Sequence, residues 1–474
     1  MSIMKTKPNI VFFFTDDQRF DTINALGNKK IITPNIDSLV NTGVTFTHAH
    51  IPGGTSGAVC MPSRAMIHSG KSLFHLKNSG SSIPAEDSLL GETLKNNGYR
   101  TFGTGKWHNG TEAYARSFTD GDEIFFGGMN DHWNVPAHHY DPSGKYASRL
   151  PYVKNWSLKK DVDYLYADHV NNGKHSSELF ADASIDFIEN YDADNPFFMY
   201  ISFMAPHDPR TMPEEFLRMY DDIDIELPPN FMGEHPFDTG ALKIRDEMLA
   251  AFPRDPDEVK MHIKEYYAMI THLDNEIGRV IKSLKDAGEF ENTIFIFAGD
   301  NGLAVGQHGL MGKQNCYDHS MRIPFIFAGP GIPENVQKES LVYLLDIFPT
   351  LCELLDIEKP DNIDGVSLKS ALQDADQEVR DCVYLSYLDC QRAVSDKNFK
   401  LIEYVIDEKH TMTQLFDLKK DPWEIKNLAD SDTHSEKLNA MRSKLLELRD
   451  ECDDTDTPFG QTFWTAINND FTCC

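Results

Sequence analysis

The run Asn9-Ile10-Val11-Phe12-Phe13-Phe14 is almost continuously apolar and β-prone, and it stops abruptly at Thr15-Asp16-Asp17. That is the pattern of a parallel strand buried on both faces. It recurs over 99–103, leading to Lys106-Trp107-His108, and over 196–205, stopping at Pro206-His207. Two further copies cover 293–298, ending in Gly299-Asp300-Asn301-Gly302, and 324–327. Between them the spacing changes to the helical period. Over 176–191, Leu179, Phe180, Ala183, Phe187 and Ile188 share one face. Over 261–287, Ile263, Tyr267, Ile270, Leu273, Ile277, Ile281 and Leu284 do the same, and Gly288 closes the helix. Shorter helices are predicted from Thr33-Pro34-Asn35 through Val40, closed by Gly43, and over 88–97, closed by Gly98.

Strands alternating with helices predict an α/β fold with a large, mostly parallel sheet flanked by helices, occupying residues 1–375. After residue 375 the texture changes. Short strands are expected over 383–388 and 399–404 and a helix over 436–449, giving a smaller C-terminal α+β domain, 376–474, that contributes to the substrate mouth. Residues 111–163 are rich in aromatics, His, Gly and Asp and lack periodicity, so they read as a long functional loop. In open parallel sheets, ligands bind beyond the carboxyl ends of the strands. Asp16-Asp17, Lys106/His108, His207 and Asp300-Asn301 each follow a predicted strand end directly, so the topology gathers them on one edge.

Composition narrows the function classes. The chain has 474 residues, with 45 basic against 74 acidic side chains and a net charge of −29. Nucleic acid is disfavoured as a partner, because a phosphate backbone needs a positive footprint. An anionic small substrate is not excluded, since a local site can invert the global field. The 8 cysteines show neither paired CxxC motifs nor a disulfide framework. The N-terminus carries no signal-peptide pattern, and the run 10–14 is too short for an h-region or a membrane span. As written, the chain is expected in the cytoplasm without a membrane partner; a removed leader would make it periplasmic or secreted.

Two kinds of chemistry meet at the predicted edge. Asp16, Asp17, Asp300 and Asn301 offer only hard oxygen ligands, which suit Ca²⁺, with Mg²⁺ second, and not zinc. For one such pair alone, turn capping is the simpler account; two pairs at equivalent strand ends favour a metal. Lys106, His108, His207, Lys313 and Arg64 would converge as cations around a tetrahedral oxyanion, with His207 or His108 as general acid or base. Val59-Cys60-Met61-Pro62-Ser63-Arg64, followed by Ala65-Met66-Ile67, reads as a helix start with Pro62 in its first turn. Cys60 would then lie beside helical N–H groups, with Arg64 one turn on. The simpler fate of such a cysteine is a small buried apolar residue.

Taken together, the runs NIVFFFTDDQR, TPNIDSLVNTGVTFTHAH, CMPSR, GYRTFGTGKWHNG, APHDP, FAGDNG, GLMGKQNCYDHSMRIPFIFAGPG and LFDLKKDPWEIKNLA resemble the type I sulfatases of the alkaline phosphatase-like superfamily. They occur in that family's order from residue 9 to about residue 430. The resemblance implies that a maturation enzyme converts Cys60 to formylglycine, whose hydrate attacks sulfur and later expels sulfate. It implies Ca²⁺ on Asp16, Asp17, Asp300 and Asn301, and Lys106, His108, His207 and Lys313 around the sulfate, with Arg64 supporting the nucleophile. One departure is His68-Ser69-Gly70-Lys71 where the family often has Leu-Thr-Gly-Arg. The alternatives are a phosphodiester or phosphonate monoester hydrolase, and an unmatured, non-catalytic binder of sulfated glycans. For the alcohol part, His132, Trp133, His138 and His139 in the 125–140 loop, and Arg392 from the smaller domain, are the expected sugar contacts. They suggest an exo-acting glycan sulfatase, with uronate 2-O-sulfate of glycosaminoglycan fragments as the expected substrate.

Overall fold

The computed structural model describes residues 7–153, 157, 161–191, 195–374 and 377–471. The expected domain boundary at 375/376 and the Cys473-Cys474 pair lie outside them. Nine strands form the large sheet: β1 (Asn9–Thr15), β2 (Gly43–His50), β3 (Arg100–Lys106), β4 (Asp120–Phe125), β5 (Phe197–Ser202), β6 (Thr293–Gly299), β7 (Arg322–Ile323), β8 (Phe325–Ala328) and β9 (Val336–Tyr343). Their order is β7-β2-β8-β6-β1-β5-β3-β4, with β9 also paired to β2. β6, β1, β5, β3 and β4 are mutually parallel, Phe12 lying opposite Tyr200 on one side and Ile296 on the other. The strand expected over residues 324–327 is present but is not part of the parallel set. That strand, β8, runs antiparallel to both β6 and β2.

The apolar run of β1 is fully buried, and its two faces enter different cores. Val11 and Phe13 pack with α3 (Ser176–Glu189) and α4 (Pro256–Asp286), after α1 (Pro34–Asn41) and α2 (Cys60–Ser69) in chain order. Ile10, Phe12 and Phe14 pack with Ala65 and Ile67 of α2. Each such side chain contributes about 1.5–3 kcal/mol relative to exposure. α4 starts before the apolar period does. Asp255 accepts from the N–H groups of Asp257 and Glu258 at 2.9 and 3.0 Å, and Pro256 occupies the first helical position. α2 begins at Cys60 as expected and ends on Gly70 at φ +66°, where a Cβ would lie 2.8 Å from Ile363. Only glycine fits that turn.

The 111–163 segment is not a loop throughout. It contains a helix, Thr111–Ser117, the sheet strand β4, and the hairpin strands Asn134–Ala137 and Leu150–Val153, which pair with His169–Asn172 and Val162–Leu165. The C-terminal part is a second sheet of β10 (Cys382–Tyr387), β11 (Gln391–Asp396), β12 (Phe399–Ile406) and β13 (Lys409–Asp417). It packs on α5 (Ser435–Glu451) and α6 (Pro458–Phe471) through Val394, Leu401, Leu415, Met441, Leu445 and Phe463. Its fifth strand, Gly53–Gly54, comes from just before Cys60 and pairs with Ser386 and Tyr387. The second sheet is thereby stitched to the approach of α2.

Candidate active site

β1, β3, β5 and β6 end side by side, and the residues that follow them meet there. Asp17 takes a left-handed conformation, φ 64°, and its N–H donates to Asp300 Oδ1 at 3.0 Å. Arg64, one turn into α2 and fully buried, lies between the carboxylates. Its Nε donates to Asp300 Oδ2 and its Nη2 to Asp16 Oδ2, both at 3.0 Å, and Nη1 reaches the Lys106 carbonyl at 2.9 Å. The planar fork matches this divergent set of acceptors as an ammonium would not. Lys106 donates to Asp16 Oδ2, and Lys313 Nζ to Asp17 Oδ1 at 2.5 Å. Cys60 Sγ lies 3.6 Å from Lys106 Nζ and 3.7 Å from His108 Nδ1. The His207 Nδ1–H donates to the Asp208 carbonyl at 2.8 Å, which leaves Nε2, 3.6 Å from Asp17 Oδ2, toward the site. All ten residues expected in the catalytic and metal groups are therefore brought together.

The electrostatics follow from burial and crowding. Burial pushes the Cys60 thiol up in spite of Lys106 and Lys313, so the encoded thiol is a weak nucleophile. Burial, followed by Lys106 and Arg64, holds the His108 imidazolium down to about 2, so the ring is neutral. Burial alone would raise Asp16, but Lys106 and Arg64 outweigh it and keep the carboxylate ionised. Asp300 is pushed up by burial and by the Asp16 charge. Such a crowd of acceptors calls for a cation. Asp16 Oδ1 and Asn301 Oδ1 are buried with no hydrogen-bond partner, and each such orphan costs about 1–3 kcal/mol. Ligand atoms of Asp16, Asp17 and His207 lie within 4.8 Å of one another. The hard oxygen donors of Asp16, Asp17, Asp300 and Asn301 fit a divalent cation of the Ca²⁺ or Mg²⁺ kind.

Above Cys60 opens a cavity of about 370 Å³. Cys60, His108, His207 and Lys313 line it together with Arg245, Asp246 and Gln314, and Gly128, Met129 and Ile244 are among its apolar lining. A larger cavity of about 480 Å³, lined by Arg19, Tyr267 and Trp423 among others, holds none of the chemistry described above. A family model described as Sulfatase matches residues 8–357, more than half of the chain. The chain belongs to the sulfatase family. It is a sulfuric ester hydrolase with the alkaline phosphatase-like fold. A second model, N-sulphoglucosamine sulphohydrolase, C-terminal, matches residues 306–451. An arylsulfatase of Clostridium perfringens is 28% identical over 93% of this chain and 94% of its own length. The uncharacterized sulfatase YidJ of Escherichia coli is 30% identical over 97% and 90%. Among solved structures, a protein in complex with its substrate D-glucosamine-2-N,6-O-disulfate superposes with a TM-score of 0.76 at 22% identity, over 95% of this chain and 99% of that one.

The expected sugar contacts of this sulfatase are elsewhere. Arg392 is fully buried, its guanidinium bonded to Asp454 at 2.6 and 3.0 Å and to the carbonyls of Leu388 and Gln391, so it cannot meet a uronate. His132 is also buried. Its Nε2 donates to the His207 carbonyl at 3.0 Å, and its Nδ1 accepts from Ser176 Oγ at 2.7 Å. His138 is buried against Phe126 and Tyr146 with Nε2 on the Tyr166 carbonyl; His139 is exposed, bonded to Asp122 and stacked on His169. Trp133 meets the edge of His175. None of the five lines the cavity. The 125–140 loop meets the cavity through Gly128 and Met129 instead, and Gly128 packs on His108 Nε2 closely enough that a Cβ would lie at 2.9 Å. Arg245 and Asp246 went unread because their segment carries no apolar period; Gln314 had a signal, its place beside Lys313.

Proposed function

We propose that this sulfatase removes sulfate from a sulfated carbohydrate. The observation that carries the reading is the lining of the cavity. Beside the cationic and imidazole groups suited to a sulfate stand Arg245, Asp246 and Gln314, and no Phe, Tyr or Trp is among the lining residues. Sugar hydroxyls match such polar groups, whereas a flat aryl alcohol would want an aromatic wall. The substrate of the structural neighbour, a sulfated glucosamine, is of the same class. The uronate expected from Arg392 has lost its support with that residue.

In this reading Cys60 is converted to formylglycine by a maturation enzyme. When present, the hydrated aldehyde supplies one hydroxyl to attack sulfur and a second to release the sulfate. A divalent cation on Asp16, Asp17, Asp300 and Asn301 would neutralise sulfate oxygens and lower the pKa of a hydroxyl beside it. The protein's own groups do the rest. Lys106 and Lys313 balance the charge of the sulfate from two sides. Neutral His108, 3.7 Å from the residue-60 side chain, is placed to accept a hydrogen bond from the hydroxyl whose proton is lost on release. His207, its Nδ1–H tied to a carbonyl, presents Nε2 toward the leaving oxygen, with Lys313 beside it.

The test is the rate of inorganic sulfate release from sulfated mono- and disaccharides, set against 4-nitrophenyl sulfate and a matched phosphodiester. Sugar sulfates are expected to turn over fastest. A phosphodiester preferred by orders of magnitude would make the protein a phosphodiesterase in practice.

A further inference from the structure

Three further polar side chains line the cavity, Gln314, Arg245 and Asp246, and the first two are already engaged with the third. The Gln314 amide accepts from the Lys313 N–H at 2.9 Å and donates to the Gly57 carbonyl at 2.9 Å and to Asp246 Oδ2 at 2.6 Å. Arg245 forks onto Asp208, with Nη1 at 3.0 Å from Asp208 Oδ1 and also 3.0 Å from Asp246 Oδ1. The charge of Arg245 is thus shared between two carboxylates. Lys313 is bound to Asp17. Asp246 differs. A carboxylate has about four lone-pair sites, and these hydrogen bonds use one on each oxygen. Its side chain is 15% exposed and lines the cavity. Lys313, Gln314 and Arg245 outweigh its burial and keep it ionised.

Resting on the carbohydrate reading, we infer that Asp246 is the residue that selects the sugar, accepting hydrogen bonds from two adjacent hydroxyls of a neutral sulfated hexose and rejecting a uronate. The acceptor left on each oxygen matches the two donors of a vicinal diol, and hydrogen bonds to an ionised acceptor are the strong ones. Gln314 and Arg245 are positioning residues that hold the carboxylate plane. A uronate carboxylate in the same place would face the like charge of Asp246, with the Arg245 charge already shared between Asp246 and Asp208.

The experiment compares matured wild-type protein with Asp246→Asn, which is isosteric and removes the charge, and Asp246→Ala. The probes are the positional monosulfates of glucose and galactose, a 2-O-sulfated uronyl disaccharide, and 4-nitrophenyl sulfate, which has no diol. Wild type should prefer a neutral hexose sulfate to the acidic disaccharide. In both variants the ratio of kcat/KM for that hexose sulfate to kcat/KM for 4-nitrophenyl sulfate should fall about 10- to 100-fold, mostly through KM. The ratio of acidic disaccharide to hexose sulfate should rise. An unchanged hexose-to-aryl ratio in folded Asp246→Asn, or a wild-type preference for the uronyl substrate, overturns the role of Asp246 and leaves the carbohydrate reading intact. A wild type that turns over only the aryl sulfate overturns both.

Discussion

Arg64 joins more of the site than any other single residue. It is fully buried, stacked on Phe14 at 5.0 Å, and ties Asp16, Asp300 and the end of β3 to the nucleophile helix. Arg64→Lys keeps the charge but loses the fork, so kcat for sulfate release should fall roughly 100-fold or more, with the variant still folded by circular dichroism. Arg392 makes the opposite case. It and Asp454 are a buried ion pair supported by Tyr384 and Trp464, so Arg392→Ala should cost about 3–5 kcal/mol in denaturant unfolding while KM in the remaining folded protein stays near wild type. A change confined to KM would return Arg392 to the substrate. The contrast shows what is legible at this scale. Asp16, Lys106, His207 and Asp300 could be read because each follows a strand end in a parallel sheet, a rule of topology. His132, His138 and Arg392 have the right chemistry for a sugar, but whether a side chain faces a cavity or a core is set by long-range packing that residue type does not encode.

At the scale of elements, the apolar runs of β1, β5 and β6 and the long period of α4 were legible within a few residues, because burial on two faces or along one stripe leaves a periodic trace. β2 left less of one: Gly-Val-Thr-Phe-Thr-His-Ala-His mixes polar residues into a largely buried strand whose neighbours are mostly antiparallel. β11 and β13, also missed, hold too few apolar residues, Ala393 and Val394 in one and Met412, Leu415 and Phe416 in the other, for a period to stand out. One contact between elements is open to a direct test. His75, just past α2, bonds Asp364 through Nδ1 at 2.7 Å and Asp453 through Nε2 at 3.1 Å, stapling the nucleophile helix to the C-terminal part. The Asp364 hydrogen bond, opposed by partial burial and helped by Asp453, raises its pKa from 6.5 to about 9. A raised folded-state pKa gives stability that is full below 6.5 and is lost as pH rises through 9. The difference in urea midpoint between wild type and His75→Ala should therefore be largest near pH 6 and vanish by about pH 10. A gap independent of pH would mean that the staple acts through packing alone.

The whole molecule is acidic, with a net charge of −29, yet its centre gathers Lys106, Lys313 and Arg64 around four buried oxygen-bearing side chains. That inversion is local, and the orphaned oxygens of Asp16 and Asn301 locate where a hard cation would complete it. Removing divalent ions with a chelator should abolish sulfate release and lower the melting temperature, and Ca²⁺ should restore both more fully than Mg²⁺. At a free ion concentration of 100 Kd the gain would be about 2.7 kcal/mol. A melting curve indifferent to chelator and ion would remove those four residues from a metal role. The central claim is that residue 60, once converted, removes sulfate from a sugar. Its most direct measurement is inorganic sulfate released from a panel of sulfated sugars by protein co-produced with a formylglycine-generating enzyme, beside Cys60→Ala handled identically. Multiple-turnover release by the converted protein and none above background by Cys60→Ala is the predicted result; equal release by the two, or release from no sugar while a phosphodiester is cleaved, would contradict it.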